Sequence, residues 1–529
     1  MNFLHKSESW ITRLSLSATG ALSFFLAMPG SFGWWPLLFI ALVPLFLSIL
    51  KTTPRGAFLL GFFFGLLYQT FTLYWIVIVL ARYGGLPLWL AVGGLLLLSA
   101  YMSLYHALFC WIYNYLARAA FPSAFSPFFI ICGAPVIWIA IEYVRGLAFT
   151  GFPWLDLGYG LHGQPHLIQA ADLGGHLLVS MMIVCCNSIV TWIILRLHHK
   201  EAMPKHGTVG ITIACSFLLV LFGYSIIRYQ LIEGRIKQAP QIQVAAVQGN
   251  IDQSAKWSPE NKLATVNRYI SLSKETGQEE KASLIVWPET ALPFYPQRDP
   301  ATAYLLDYVR SEKLWLLTGA PLITYSKARG AAPTPQYLNG ALLFSPQGDI
   351  AGMYGKRHLV PFGEYVPARR FLPFISPLVE NVGDFTPGSS KAPLTLDALK
   401  IGVLICYESI FSDIARDSVT LGANLLVNIT NDAWYGRSSA PYQSMAMAVF
   451  RAVETKRSLV RAANTGISAF VDPLGRVIQQ TPIFTAAAIK ASVPLLEEKT
   501  LFCIKGHWFG LCCLALVPVF FIARRCFAS

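Results

Sequence analysis

Two patterns of apolar and polar residues divide this chain. From about residue 11 to 228 nearly every stretch is apolar, with runs of Leu, Phe, Ile, Ala and Trp separated by short polar breaks. A helix crossing a bilayer needs about 20 such residues. That predicts spans at 11–30, 33–50, 57–80, 87–117, 125–145, 173–195 and 208–228, with an eighth at 505–523. Lys6 and Arg13 precede the first run as they would in a secretory signal, but further spans follow at once, so an uncleaved helix is expected. Residues 146–172 are too polar to span and too apolar to be solvated, and read either as an interfacial or re-entrant segment or as a loop with an aromatic belt.

Between about 239 and 500 the pattern changes to short apolar runs separated by polar, helix-forming stretches. Ile242–Val247, Leu284–Trp287, Leu314–Leu317, Ala341–Phe344, Ile401–Ile405, Leu425–Ile429 and Ile467–Val471 read as buried strands. Ser258-Pro259-Glu260 marks a helix start, with serine as N-cap and proline in the first turn, and Tyr442–Thr455 reads as a helix. Strands alternating with helices predict α/β layers without choosing among α/β folds. The expected organisation is a bundle of about seven spans over 1–235, an α/β domain over 236–500, and a last span with a short tail over 501–529.

Composition agrees with a membrane protein carrying one extramembrane domain. Hydrophobic residues make up 54% of the 529 and charged residues 13%, against roughly 25% charged in soluble proteins. The net charge of +13 is spread out, with no basic run interleaved with aromatics, so nucleic acid is not an expected partner. With the N-terminus inside, the inner segments hold Lys6, Lys51, Arg55, Arg118, Arg196, Lys200, Lys205, Arg524 and Arg525, whereas the short outer loops hold Arg82 and Arg145. That asymmetry obeys the positive-inside rule. It places the 239–500 block outside the cytoplasm, in the periplasm of a Gram-negative cell.

Of ten cysteines, Cys406 is the one that falls within 239–500, so no disulfide framework is implied there. It closes the run Ile401–Ile405 and is followed by Tyr407-Glu408-Ser409, which describes a nucleophile presented on a strand-to-turn bend. A thiol attacks as thiolate, so it needs a base or a cation nearby. Glu289, in Trp287-Pro288-Glu289 at the end of another apolar run, is one candidate base, and apolar surroundings would strengthen it. His358 is the rival, making a Cys–His dyad. Lys356 offers a fixed positive charge for a tetrahedral oxyanion.

A Glu, a Lys and a Cys in this order, each just past a strand, resemble the catalytic set of the nitrilase superfamily. Five segments narrow the resemblance: Gln248-Gly249-Asn250-Ile251, Trp287-Pro288-Glu289, the run from Gly355-Lys356-Arg357-His358 through Leu359-Val360-Pro361-Phe362-Gly363-Glu364, Cys406-Tyr407-Glu408, and Asn428 to Trp434. Together with the apolar frame they are similar to the apolipoprotein N-acyltransferase family over the whole chain. The resemblance implies an α-β-β-α sandwich inserted in a bundle of about eight transmembrane helices, a monomer in the inner membrane with its catalytic domain periplasmic. It implies no cofactor or metal. Its activity would move an acyl chain from the sn-1 position of a phospholipid, typically phosphatidylethanolamine, to the α-amine of a diacylglyceryl-cysteine on an apolipoprotein, through a Cys406 thioester. Glu289, Lys356 and Cys406 would be catalytic, with Glu364 a second carboxylate near the thiol, Tyr407 and Glu408 close supports, and Trp257 at an aromatic position linked to substrate binding. Two other readings stay open: a membrane-tethered amidase with water as acceptor, and a non-enzymatic transporter or lipid-binding scaffold. The span interiors show little charge beyond Glu142 and Asp172 at their edges, which disfavours the scaffold.

Overall fold

The computed structural model describes residues 9–50, 52–119, 128–199, 205–254, 256–276, 282–325, 333–366 and 385–528. Lys6, Lys51 and Lys200 lie outside the described residues, as do the side chains of Arg118, Lys205 and Arg525. The chain divides into two compact units, Met1–Gln230 with Lys505–Ser529, and Leu231–Ile504.

The first unit is helical, but its described residues do not show eight uniform spans. Among the described residues three helices are long and apolar enough to cross a membrane: Leu88–Ala117, His176–Leu197 and Thr208–Gln238. A fourth is possible if Pro54–Thr72 and Trp75–Tyr83, bent by 51°, count as one span. The other apolar runs fall short for local reasons. Trp10–Ala27 dilutes its apolar residues with Ser, Thr and Arg13. The 33–50 run breaks into a 3-10 turn, Trp35–Phe39, and a short helix, Val43–Leu50. The 125–145 run is interrupted by a π-helical turn, Phe129–Gly133, before the 12-residue helix Ala134–Arg145. The last apolar helix, Trp508–Arg524, is shorter than the three long helices among the described residues.

Close packing in this unit uses small residues. A Cβ on Gly61 would sit 2.6 Å from Cys110 Sγ, and one on Gly65 would sit 2.8 Å from Ser103 Cα. The four-residue spacing puts both glycines on one helix face, where they let the backbones approach. Charge is also more deeply placed than the sequence suggests. Arg145, read above as an outer-loop charge, is buried in an ion pair with Asp156, which also bonds His176 Nε2 at 2.8 Å. Glu142 Oε1 accepts from Trp138 Nε1 at 2.9 Å and from the Leu157 N–H at 2.8 Å. Asp172 takes Tyr224 Oη at 2.8 Å and Arg228 Nε at 2.6 Å. Within the 146–172 segment Trp154, Asp156, Leu157 and Tyr159 are buried, whereas Leu147 and Phe149 are exposed.

The second unit is a two-sheet sandwich. Strands β1 (Gln241–Gln248), β2 (Leu284–Val286), β3 (Trp315–Tyr325), β4 (Pro335–Phe344) and β5 (Ile350–Gly355) join β12 (Ala487–Pro494) in one sheet, ordered β12-β1-β2-β3-β4-β5. The other sheet runs β11 (Val477–Gln480), β10 (Ala469–Val471), β9 (Ser458–Ala463), β8 (Leu425–Thr430), β7 (Leu399–Ile405) and β6 (Leu394–Leu396). In each, three parallel strands, β1-β2-β3 or β7-β8-β9, are flanked by antiparallel partners.

Alternation along the strands explains the layers. Val244, Ala246, Leu284 and Val286 face Val403, Ile405, Val427 and Val460 across one core, with all eight buried. Ala245, Val247 and Ile285 point the other way, against Tyr269 and Ile270 of helix Lys262–Glu275 and Leu305 of helix Ala301–Glu312. On the far side, helices Ser412–Thr420 and Ala440–Thr455 cover the second sheet. Strands covered on both faces read as continuous apolar runs, and the result is the expected α-β-β-α sandwich. The seven expected strands are present, with β5, β6, β9, β11 and β12 added. Ser258 takes the expected N-cap position with Pro259 in the first turn, but without a side-chain cap bond. Its hydroxyl bonds the Glu260 carboxylate, and the helix begins at Lys262 after a 3-10 turn, Pro259–Asn261.

Candidate functional site

The carboxyl ends of the central strands and of β5 converge on one group of buried polar residues. Cys406 directly follows β7 and opens a 3-10 helix, Cys406–Ile410. Its φ is +51°, in the left-handed region where a residue with a side chain is strained by about 1–3 kcal/mol. Glu408 holds that bend. One of its oxygens accepts the Ile405 N–H at 2.8 Å, and the other accepts the Arg357 and His358 N–H groups at 2.6 and 3.2 Å. Tyr354 Oη donates to both, at 3.0 and 3.1 Å. A single buried carboxylate thus staples the end of β7 to the segment after β5, which carries Lys356.

Lys356 is 1% exposed, and its ammonium lies 2.9 Å from Glu364 Oε2 and 3.7 Å from Glu289 Oε1. Burial opposes its charge, but the Glu364 and Glu289 carboxylates outweigh that and hold the lysine above its ordinary value. Asn339, from the middle of β4, donates from Nδ2 to Glu289 Oε1 and Glu364 Oε1, each at 2.7 Å. Glu289 Oε2 accepts the Asn431 N–H at 2.9 Å, just past β8. Glu364 Oε2 accepts the Val360 N–H at 2.8 Å. The setting of Glu289 is therefore polar, where apolar surroundings were expected.

The Glu289 turn is fixed from below. Trp287 Nε1 donates to Ser273 Oγ at 2.9 Å, and the Gly319 N–H bonds Pro288 O at 3.1 Å. A Cβ on Gly319 would lie 2.5 Å from Thr290 N and 2.6 Å from Glu289 Cα, so glycine is required at this approach.

Burial pushes the Cys406 thiol up to about 12, with Glu289 and Asp432 adding to the effect and Lys356 and Thr430 opposing it. The group is a protonated thiol at neutral pH and needs a base at the moment of attack. His358 does not approach it through a hydrogen bond. Its ring stacks on Phe411, with centroids 3.9 Å apart, and lies 5.7 Å from the Tyr407 ring. Burial, helped by Lys356, lowers His358 to about 4, so the ring is neutral. Tyr407 is buried beneath it.

The structure thus brings Glu289, Lys356, Glu364, Cys406 and Glu408 together. Trp257 stands in an adjoining aromatic group, packed with Tyr295, Tyr337 and Tyr365 against Leu359 and Phe385. Three contributors escaped the sequence reading: Asn339, Tyr354 and Arg461. Arg461 is fully buried and bonds Asp432 at 2.9 Å and Ser444 at 3.1 Å behind the thiol. Asn339 and Arg461 are polar residues within apolar strands, a signal that was available, whereas Tyr354 lies on β5, half of which is exposed. Among the described residues no His, Cys, Asp and Glu group is arranged to hold a metal ion.

Glu408→Gln should lower both stability and activity. An amide places N–H donors where four N–H or O–H donors already point, and an unsatisfied buried donor costs about 1–3 kcal/mol. Thermal unfolding of the purified protein should show a fall of several degrees, with loss of activity at temperatures where the variant stays folded.

Comparison with known proteins places this chain. Residues 19–189 match the apolipoprotein N-acyltransferase N-terminal domain family, and residues 243–498 match the carbon-nitrogen hydrolase family. The apolipoprotein N-acyltransferase of Geobacter metallireducens is 41% identical over 91% of this chain and 89% of its own length. That of Vibrio cholerae is 30% identical over 90% of this chain and 92% of its own. Among solved structures, an amidase from Nesterenkonia sp. is 21% identical, covering 48% of this chain and 90% of its own, with a TM-score of 0.35. With long apolar helices, a sandwich of the carbon-nitrogen hydrolase type and near-full-length relatives, the chain belongs to the apolipoprotein N-acyltransferase family and is an acyltransferase.

Proposed function

We propose that this enzyme transfers an acyl chain from the sn-1 ester of a phospholipid, with phosphatidylethanolamine as the usual donor, to the α-amine of a diacylglyceryl-cysteine on an apolipoprotein. The observation that carries the reading is the convergence of a protonated thiol, a buried carboxylate and a held ammonium at one set of strand ends, in a chain whose relatives bear that name. Glu289 takes the proton from Cys406 as sulfur attacks the ester carbonyl. Lys356 faces the oxyanion, and its positive charge is present before the reaction begins, so little reorganisation is needed. The tetrahedral adduct collapses, the lysophospholipid leaves with the proton from Glu289, and a thioester remains. The incoming amine attacks the thioester, Glu289 accepts its proton and returns it to sulfur, and the amide product departs. Glu364 fixes Lys356, Tyr407 and Glu408 support the bend at Cys406, and Trp257 lines the approach of lipid. No cofactor or metal enters these steps.

The setting follows from the substrates, which are both anchored in a bilayer. We place the helical unit in the inner membrane of a Gram-negative cell and the sandwich, as a monomer, in the periplasm, where mature lipoproteins form. A reporter fused near residue 235 should read periplasmic and one fused after Ser529 cytoplasmic. A cytoplasmic signal at the first position would put the site on the wrong side of its acceptor.

An acyl-enzyme should accumulate when the amine is withheld, because thioesters react readily with amines and more slowly with water. Phospholipid labelled in its sn-1 chain should label Cys406 of the purified protein, and neutral hydroxylamine should release it. A diacylated lipopeptide should take up the label, with ping-pong kinetics, and Cys406→Ala should neither label nor transfer. Labelled fatty acid released at one rate with or without lipopeptide would identify a hydrolase instead.

Glu289→Gln should reduce acylation by about 10²–10⁴-fold, the usual contribution of a general base. His358→Ala should keep most of the wild-type rate, since its neutral ring is engaged with Phe411. Single-turnover acylation of the two variants tells them apart; a dead His358→Ala beside an active Glu289→Gln would assign a Cys–His dyad.

A further inference from the structure

Lys256 is a fully buried lysine with no place in the chemistry above. It comes from the segment that follows β1 and precedes Trp257, and its Nζ lies 2.6 Å from Thr290 Oγ1 and 3.3 Å from the Glu289 main-chain oxygen. Among the described residues no carboxylate lies within ion-pair distance of it. A buried ammonium held by neutral oxygens alone is costly, so its presence calls for a local explanation.

The residue it touches supplies one. Thr290 has φ +47°, and a β-branched residue in that region is a genuine outlier. Glu289 precedes it directly, so any relaxation at Thr290 swings the carboxylate. Gly319 supports the turn from one side through the Pro288 carbonyl, and Lys256 closes the other. The same segment reaches the carboxylate by a second route. Gln253 Oε1 accepts Asn431 Nδ2 at 2.7 Å, and the Asn431 N–H bonds Glu289 Oε2 at 2.9 Å. Asn464 pins the start of the segment, accepting the Ile251 N–H at 2.9 Å and donating to Ile251 O at 2.8 Å.

We infer that Lys256 is a positioning residue: its ammonium ties the Trp257 segment to the strained Glu289–Thr290 turn and so sets the aim of the carboxylate. This rests on the reading of Glu289 as the base. Burial lowers Lys256 to about 8, with the Glu289 charge opposing the shift, so it is charged below that pH and neutral above it. The groups facing it through Glu289 are Lys356, Glu364 and Cys406. Lys356 is held charged and Cys406 stays protonated to about 12, so neither titrates near 8.

The test is single-turnover acylation of the full-length protein with labelled phospholipid between pH 6 and 9.5, for wild type, Lys256→Met, Thr290→Val, the double variant and Glu289→Gln. Lys256→Met should acylate on the order of 10²-fold more slowly at pH 7, the penalty of a misplaced base, with the KM for phospholipid unchanged. The wild-type rate should fall as pH rises through about 8, and that limb should vanish in Lys256→Met. Thr290→Val should also slow acylation and move the limb to lower pH, because the lysine loses its hydroxyl partner. The double variant should be no slower than the slower single, as for groups acting as a unit. A Lys256→Met protein with a near-wild-type rate, or one that keeps the limb near pH 8, overturns the inference. If Lys256→Met does not fold, Thr290→Val with a wild-type rate and limb overturns it equally. A wild-type rate in Glu289→Gln would sink the base reading itself, whereas an inert Glu289→Gln beside an unimpaired Lys256→Met sinks only this inference.

Discussion

An ammonium group almost wholly removed from water is the constraint around which the sandwich site is built. Lys356 carries its charge at 1% exposure only because Glu364 and Glu289 stand 2.9 and 3.7 Å away. Removing one partner of such a group leaves an uncompensated buried charge, which costs far more than a surface pair contributes. The carboxylates are in turn bound by Asn339, by the Val360 N–H and by the Asn431 N–H. The arms come from β4, from the segments after β2 and β5 in one sheet and from the end of β8 in the other, so the network exists only when both sheets are in register.

The same demand explains the second carboxylate layer. Among the described residues no cation bonds the buried Glu408, and three backbone N–H groups and the Tyr354 hydroxyl replace its water. Its bonds cross between β5 and β7, one strand from each sheet. The left-handed bend at Cys406 and the placement of Lys356 are therefore set by one side chain. Strain of this kind persists where the surroundings over-determine it, and here the surroundings are a carboxylate with no spare acceptor.

In the helical unit the corresponding constraint is the absence of water. Arg145 and Asp156 neutralise one another, with His176 hydrogen-bonded to the same carboxylate, and Asp172 is matched by Tyr224 and Arg228. Polar groups at such depth are tolerated when they find each other. Close helix contact at Gly61 and Gly65 comes from missing side chains, since apolar surfaces gain little from meeting each other in lipid.

Much of this was legible in the residues. Apolar runs bounded by turns located seven of the strands, because a strand covered on both faces must be apolar throughout. Cys406 and Glu289 could be singled out because each follows such a run, Lys356 because it stands in the Gly355–Glu364 segment, and all three because their chemistry needs partners. Segments with two-sided burial and strong motifs are where local pattern and tertiary fate agree. Hydropathy counted eight spans, yet among the described residues three or four helices are long and apolar enough to cross a membrane, since a run of apolar residues does not reveal a π-turn at Phe129–Gly133 or a break after Phe39. Strands β5 and β11 escaped because their residues are largely exposed and carry no apolar run. The polar lining of Glu289, the ion pair that buries Arg145, and the partners of Asn339, Arg461 and Lys256 were decided by tertiary structure alone. The reason is physical: a buried polar atom is defined by the partner it meets, and that partner lies on another strand, many residues away in sequence.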